Sequence, residues 1–315
     1  MTVIALDVGG TRIKAGVMAP DGTVLHTEHR ATRAEFGPDA VLEAVLGCAA
    51  ELSRVYAPRA AGLAVPGLVD EASGVAVFAA NLGWRQVHLQ RWLAKELGIP
   101  VAFGHDVRAG ALAEARLGAG HGCRSFLFVP VGTGIAAAVM LDGRAMTGSH
   151  GFAGELGHLV VRPGGEPCPC GGRGCLETLA SAAAIARRYQ QATGEREISG
   201  RCDITAEDVQ HRAAAGDQHA ARIWREAIEA LADGLAAAIT LLDPERIVIG
   251  GGLADAGQPY FGPLRAALAT RLTFQRMPEI RPAALGHQAG CLGAALLAQD
   301  LRQPPGQGPA GGRDS

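Results

Sequence analysis

The chain has 315 residues, 29 Lys and Arg against 31 Asp and Glu, and a formal net charge of −2. That length suits two lobes better than one small core. The near-neutral charge leaves no basic footprint for nucleic acid, and no apolar run approaches the roughly 18 residues of a membrane span. The start, MTVIALDVGG, has neither the basic region nor the cleavage site of a secretory signal. The seven cysteines are odd in number, with Cys168, Cys170 and Cys175 close together, which argues against a disulfide framework. The expectation is a cytoplasmic protein in which Cys48, Cys123, Cys202 and Cys291 are small buried hydrophobes.

In chain order, Val3–Val8 reads as a strand running into Gly9-Gly10-Thr11. A second strand over 13–19, a Pro20-Asp21-Gly22 turn and a third strand over 23–29 complete a meander. Residues 38–56 have helical spacing, with Val41, Leu42, Val45, Leu46, Ala49 and Leu52 on one face. A buried strand at 60–65, a helix near 88–97, a strand at 100–104 and a helix at 106–117 follow. Residues 125–131 and 134–141 read as two strands around a Gly-Thr-Gly turn, and 142–178 is a Gly- and Pro-rich stretch holding a Cys/His cluster. Helices are expected at 180–193, 205–215, 217–242, 259–272 and 290–301, with strands at 246–249 and near 279–284. The tail 303–315 has the composition of a disordered segment. Strands feeding glycine turns occur at both 3–11 and 125–134, which suggests two related lobes with a nucleotide between them.

Asp7-Val8-Gly9-Gly10-Thr11 can bring backbone N–H groups and the Thr11 hydroxyl against phosphate oxygens, with Arg12 and Lys14 adding positive charge and Asp7 placed to hold Mg²⁺ through water. Read alone, such a double glycine between strands is more often just a turn. Val131-Gly132-Thr133-Gly134 imitates a dinucleotide fingerprint, but the apolar segment after it ends in Asp142-Gly143, a hairpin signal, whereas a Rossmann unit needs a helix there. It is read instead as a second phosphate-contacting hairpin. Gly250-Gly251-Gly252, after an apolar strand, suits a flat ring lying on the backbone or an ordinary strand–loop junction.

Three glycine turns in this order resemble those of the actin-like ATPase fold of sugar kinases. Gly154-Glu155-Leu156-Gly157-His158, followed by Cys168-Pro-Cys170-Gly-Gly-Arg-Gly-Cys175-Leu-Glu177, resembles the ROK family of repressors, open reading frames and kinases, especially its bacterial glucokinase branch, from residue 3 to about 300. The implied fold is α/β and two-lobed (ribonuclease H-like) with a central cleft: a small lobe of 1–105 plus 290–302 and a large lobe of 106–289 carrying a zinc loop at 154–178. The chain begins directly with its first strand, so no helix-turn-helix is expected, which favours the kinase members over the repressors.

One His and three Cys form a standard tetrahedral zinc set, and Gly171, Gly172 and Gly174 let the loop fold back so that Cys175 reaches Cys168 and Cys170. The resemblance supplies His158 as fourth ligand. With no position left for water, the Zn²⁺ is structural. It would anchor the loop bearing Glu155 and Glu177, and the second ring nitrogen of His158 can meet a sugar hydroxyl.

Phosphoryl transfer needs a base at the attacking hydroxyl, a metal and donors for the phosphates. From the residues alone, Asp106 is either a helix cap or a catalytic carboxylate. The family's catalytic Asp matches it, and Gly67, Asn81, His105, Glu155, His158 and Glu177 match sugar-contacting positions. The resemblance also implies ATP and Mg²⁺ as cofactors and a homodimer or homotetramer, with no nucleic-acid or membrane partner. Two departures stand out. His105 replaces the family's usual Asn, which opens the acceptor to glucose, to 3-amino-3-deoxyglucose, or to N-acetylmannosamine and N-acetylglucosamine. Ala136-Ala137-Ala138 stands where glucokinases often carry glycines. ATP is the expected donor, with polyphosphate as the alternative. The rival of another class is a sugar-sensing regulator without turnover.

Overall fold

The computed structural model describes residues 2–195 and 204–301; the expectations for Cys202 and the tail 303–315 lie outside them. The chain divides into two compact units. One runs to Ala113 and takes up the chain again from Gln288; the other is Glu114–His287. The expected boundary after residue 105 therefore moves into a helix. Its first half stays with the first unit because Ala109 lies against the last helix: a Cβ on Gly293 would stand 1.9 Å from the Ala109 carbonyl oxygen.

The first unit is built on β1 (Val3–Val8), β2 (Arg12–Met18), β3 (Val24–Ala31), α1 (Pro38–Tyr56) and β4 (Ala60–Val65). A small three-stranded antiparallel sheet follows, β5 (Leu68–Asp70), β6 (Val75–Ala79) and β7 (Trp84–Val87), and then α2 (Leu89–Leu97) and β8 (Val101–His105). The helix α3 (Asp106–Leu117) carries the chain into the second unit. The main sheet has the order β3-β2-β1-β4-β8, antiparallel through the meander and parallel from β1 to β8. β1 and β4 are buried along their whole length, as continuous apolar strands covered on both faces must be. Edge strand β3 instead alternates in exposure and is mostly polar. Pro38 starts α1 after Gly37, and its buried stripe Val41, Val45, Cys48, Ala49, Leu52 packs on one face of the sheet.

In the second unit, β9 (Ser125–Pro130), β10 (Ala138–Leu141) and β11 (Arg144–Ala145) form a meander. Then come α4 (Glu177–Ala180), α5 (Ala182–Thr193), α6 (Ala206–Ala214), α7 (Gln218–Leu242), β12 (Arg246–Gly250), α8 (Gln258–Ala269) and β13 (Glu279–Pro282). After His287 the chain re-enters the first unit as α9 (Ala289–Asp300) and packs on the other face of β1 and β4. The second sheet, β11-β10-β9-β12-β13, repeats the order and strand directions of the first. Asp217 caps α7 by accepting the N–H groups of His219 and Ala220, worth about 1 kcal/mol. Twelve buried residues of α7, among them Ile223, Leu231 and Leu235, anchor the core of this unit. No helix among the described residues is long and apolar enough to cross a membrane.

Three expectations need correction. Residues 66–87, where the sequence predicts no element, hold the small sheet. The strand expected at 134–141 starts only at Ala138, because the Ala137 N–H donates to the Gly154 carbonyl and the Ile135 N–H to the Glu177 carboxylate rather than to β9. The helix expected at 180–193 is broken at Ser181, whose hydroxyl caps α5 through the Ala184 N–H.

Candidate active site

In the first unit, the hairpin register places Asp7 opposite Lys14, whose Nζ is 3.1 Å from Asp7 Oδ2. Arg12, expected beside them, is exposed. α9 passes so close that a Cβ on Gly290 would lie 2.5 Å from the Asp7 carboxylate. Burial pushes the pKa of Asp7 up, Lys14 pulls it down, and the charge of Asp106 pushes it up again. Asp106 is the first residue of α3, and its Oδ1 accepts the Val107 N–H at 2.7 Å. His105 Nδ1 is 3.4 Å from that same oxygen. Burial raises the Asp106 pKa above the ordinary carboxylate value, against the pull of the Val107 N–H, Lys14 and Arg108, although about 30% of the side-chain surface stays open. Two carboxylates of raised proton affinity beside one lysine suit a divalent cation.

The first glycine turn is held from inside. The Gly9 N–H donates to the Arg12 carbonyl at 2.9 Å, and the Thr32 hydroxyl donates to the Gly9 carbonyl at 2.7 Å. Thr11 is exposed. A Cβ on Gly10 would sit 3.3 Å from Asn81 Cβ, so the turn and the exposed Asn81 side chain are packed together. Gly67 has a local reason to be glycine: its φ is +89° and a Cβ would stand 2.3 Å from the Phe78 carbonyl oxygen.

In the second unit, Pro130 pairs with Gly250 at the ends of the parallel strands β9 and β12, and the Val131 N–H donates to the Gly250 carbonyl at 2.8 Å. The two glycine turns therefore lie side by side at the C-terminal ends of neighbouring parallel strands, the usual ligand position in such sheets. Gly251 is required by packing, since a Cβ would stand 2.3 Å from the Val131 carbonyl oxygen. Gly132 and Gly252 face open space within 4 Å, so packing does not explain their missing side chains. Thr133 is exposed, whereas Ala137 and Ala138 turn their methyls into the interior. Glu177 Oε2 accepts the Ile135 N–H at 2.9 Å and leaves no room for a Cβ on Gly134. Glu177 thus fastens the second glycine turn to the start of α4.

The His/Cys cluster closes as its spacing suggests. One ligand atom from each of His158, Cys168, Cys170 and Cys175 lies within 4.8 Å of all the others. His158 Nδ1 is 3.6 Å from Cys168 Sγ, and Cys170 Sγ is 3.7 Å from Cys175 Sγ. Sulfurs about 2.3 Å from a tetrahedral zinc stand about 3.7 Å apart, so the donor set fits the ion. The Gly172 N–H points at Cys170 Sγ, and the loop closes because Gly174, at φ +73°, passes where a Cβ would lie 1.7 Å from the Arg162 carbonyl oxygen. His158 Nε2 is turned to the other side, 3.8 Å from Glu155 Oε2. Ion pairs moor the loop to its helices: Arg162 to Asp233 on α7 at 2.6 Å, and Arg187 on α5 to Glu166 at 2.7 Å.

Glu71, Arg108, Thr32 and Asp233 escaped the sequence reading. Only Arg108, a charge within an Ala-rich helix, carried a local signal. Cys48 is buried as expected; Cys123 and Cys291 are only partly so.

A sheet of one order repeated in two units, with a glycine turn after the leading strand of each, is the actin-like ATPase fold of sugar kinases. The chain belongs to the ROK family, whose model matches residues 3–301. A glucokinase from Thermotoga maritima is 34% identical over 310 residues, covering 95% of this chain and 98% of the relative. An N-acetylmannosamine kinase from Citrobacter koseri is 35% identical over 302 residues, covering 95% and 99%. The crystal structure of a ROK family glucokinase from Streptomyces griseus in complex with glucose and AMPPNP superposes with a TM-score of 0.83 at 31% identity, covering 95% of this chain and 100% of that one.

Proposed function

We propose that the chain is an ATP-dependent kinase that phosphorylates the 6-hydroxyl of glucose or a closely related hexose. The observation that carries the reading is Asp106: a carboxylate of raised proton affinity at the start of a helix, near buried Asp7 and its partner Lys14. The glucokinase relatives support the choice of acceptor. Asp106 accepts the proton of the sugar hydroxyl as that oxygen forms its bond to the γ-phosphorus, and the bond to the β-phosphate bridging oxygen breaks to release ADP. Asp7 is assigned to Mg²⁺, which when bound neutralises phosphate charge. Lys14, Gly10 and Thr11 in the first unit, and Gly132, Thr133, Gly134 and Gly250 to Gly252 in the second, are assigned to the nucleotide. Gly67, Asn81 and His105 are assigned to the sugar, as are Glu155, His158 and Glu177. The four-ligand cluster is assigned to a structural Zn²⁺, and the protein to the cytoplasm as a homodimer or homotetramer.

His105 favours a second reading within kinases, because a ring that can donate or accept stands beside the base and the N-acetylmannosamine kinase relative is equally similar. ADP release with Mg-ATP is measured against glucose, mannose, 3-amino-3-deoxyglucose, N-acetylglucosamine and N-acetylmannosamine. Fast turnover of glucose supports the first reading. Strong preference for an amino or N-acetylated sugar supports the second and makes His105 a specificity residue. Silence across the panel refutes both and points to a non-catalytic sugar sensor.

A further inference from the structure

The small sheet β5-β6-β7 contributes a residue to the base that neither the family resemblance nor the relatives assign. Asp70 Oδ1 accepts the N–H groups of Ala72 and Ser73 at 3.1 and 3.2 Å, which shapes the turn between β5 and β6. The other end of that turn is pinned by Gln90: its N–H donates to the Gly74 carbonyl at 3.2 Å and its Nε2 to the Val101 carbonyl on β8 at 2.7 Å. Glu71 projects from this braced turn. Its Oε1 accepts the His105 N–H at 3.0 Å and Arg108 Nε at 2.8 Å. Arg108 is only 6% exposed while Glu71 keeps 32% of its side chain open, so it is the guanidinium end of the pair that is shielded from water.

We infer that Glu71 is a positioning residue for Asp106; the inference rests on the assignment of Asp106 as base. One carboxylate oxygen holds the peptide N–H just before Asp106 and the guanidinium two residues after it. It therefore fixes the strand-to-helix turn on which the Asp106 side chain stands, and it supplies the acceptor that the His105 N–H needs at the start of α3. Misplacing a catalytic group by about 1 Å costs on the order of 100-fold in rate.

The test is steady-state kinetics of the full chain with Mg-ATP and the fastest sugar of the panel above, for E71A, E71Q and D106N, each with a thermal melt. E71A is expected to lower kcat about 10- to 100-fold while KM for ATP stays within about two-fold of wild type. E71Q retains an acceptor oxygen but loses the charge facing Arg108, and it is expected to recover part of the loss. If E71A does not fold, the isosteric E71Q carries the test through a several-fold fall in kcat. Wild-type kcat in the folded Glu71 variants with an inactive D106N overturns the positioning role alone. So does a loss in which KM for ATP rises in step, the mark of general disorder. A D106N enzyme with normal turnover overturns the base assignment, and the positioning role with it.

Discussion

Asp106→Asn should separate activity from stability in opposite directions. The amide is isosteric and its oxygen can still accept the Val107 N–H, which Asp106 takes at 2.7 Å. What disappears is the base. General-base catalysis contributes typically 10²- to 10⁴-fold, so kcat should fall by that factor, about 3–5 kcal/mol of barrier. The effect on stability has the other sign. Burial raises the folded-state pKa of Asp106 above its unfolded value. Above that folded pKa the native state holds a carboxylate it would rather protonate, and the ionised group lowers stability. The amide removes that cost, so Tm at neutral pH should rise above wild type. The difference should vanish in acid, where the wild-type carboxylate is itself protonated. ADP release and thermal melts at neutral and acid pH measure both effects. Turnover near wild type would refute the base assignment, and a lower Tm at neutral pH would refute the claim that burial dominates at this carboxylate.

Protein prepared without chelator should carry about one zinc per chain by elemental analysis, and Cys175→Ser should carry far less; metal-free wild type would remove the site. Burial alone would raise the pKa of Asp233, but Arg271 and Arg162 outweigh it and hold the carboxylate below its ordinary value. Its stabilisation is therefore present above the unfolded-state pKa and is lost as pH falls through the folded one. Asp233→Asn should cost roughly 1–2 kcal/mol at pH 7, with the gap in Tm closing in acid; an equal gap at both pH values would contradict the ion-pair account. Gly10→Ala pushes against Asn81 Cβ, 3.3 Å from the new methyl, and should raise KM for the sugar about 3- to 10-fold. Unchanged sugar kinetics would detach Asn81 from the sugar.

Signals carried by a few neighbouring residues were readable in the sequence. The strands at 3–8 and 60–65 and the helix at 38–56 have the predicted bounds because apolar runs and helical spacing are local. The His/Cys cluster was readable because three of its members lie within one glycine-rich loop, and the family resemblance supplied His158. The small sheet was missed because β5 and β7 have three and four residues, too short to show a period. Residues 134–137 look like strand by composition, but Gly154 and Glu177, distant in sequence, claim the N–H groups of Ala137 and Ile135. Glu71 was illegible for the same reason: its partners His105 and Arg108 lie 34 and 37 residues away.

The placement of α9 has a consequence for how the chain is made. Gly62 on β4 lies where a Cβ would be 1.8 Å from the Ala294 carbonyl oxygen, and Ala294, Ala295 and Ala298 belong to the core that closes over Val3, Ala5, Ala60 and Ala64. Strands synthesised early thus wait for a helix synthesised after the whole second unit, while Glu114–His287 is contiguous and contains its own core. During translation the second unit can reach its native packing while one apolar face of the first sheet is still bare. Asp7 stands on that face, against Gly290 of the same helix, so the acidic centre is completed only when α9 has emerged from the ribosome.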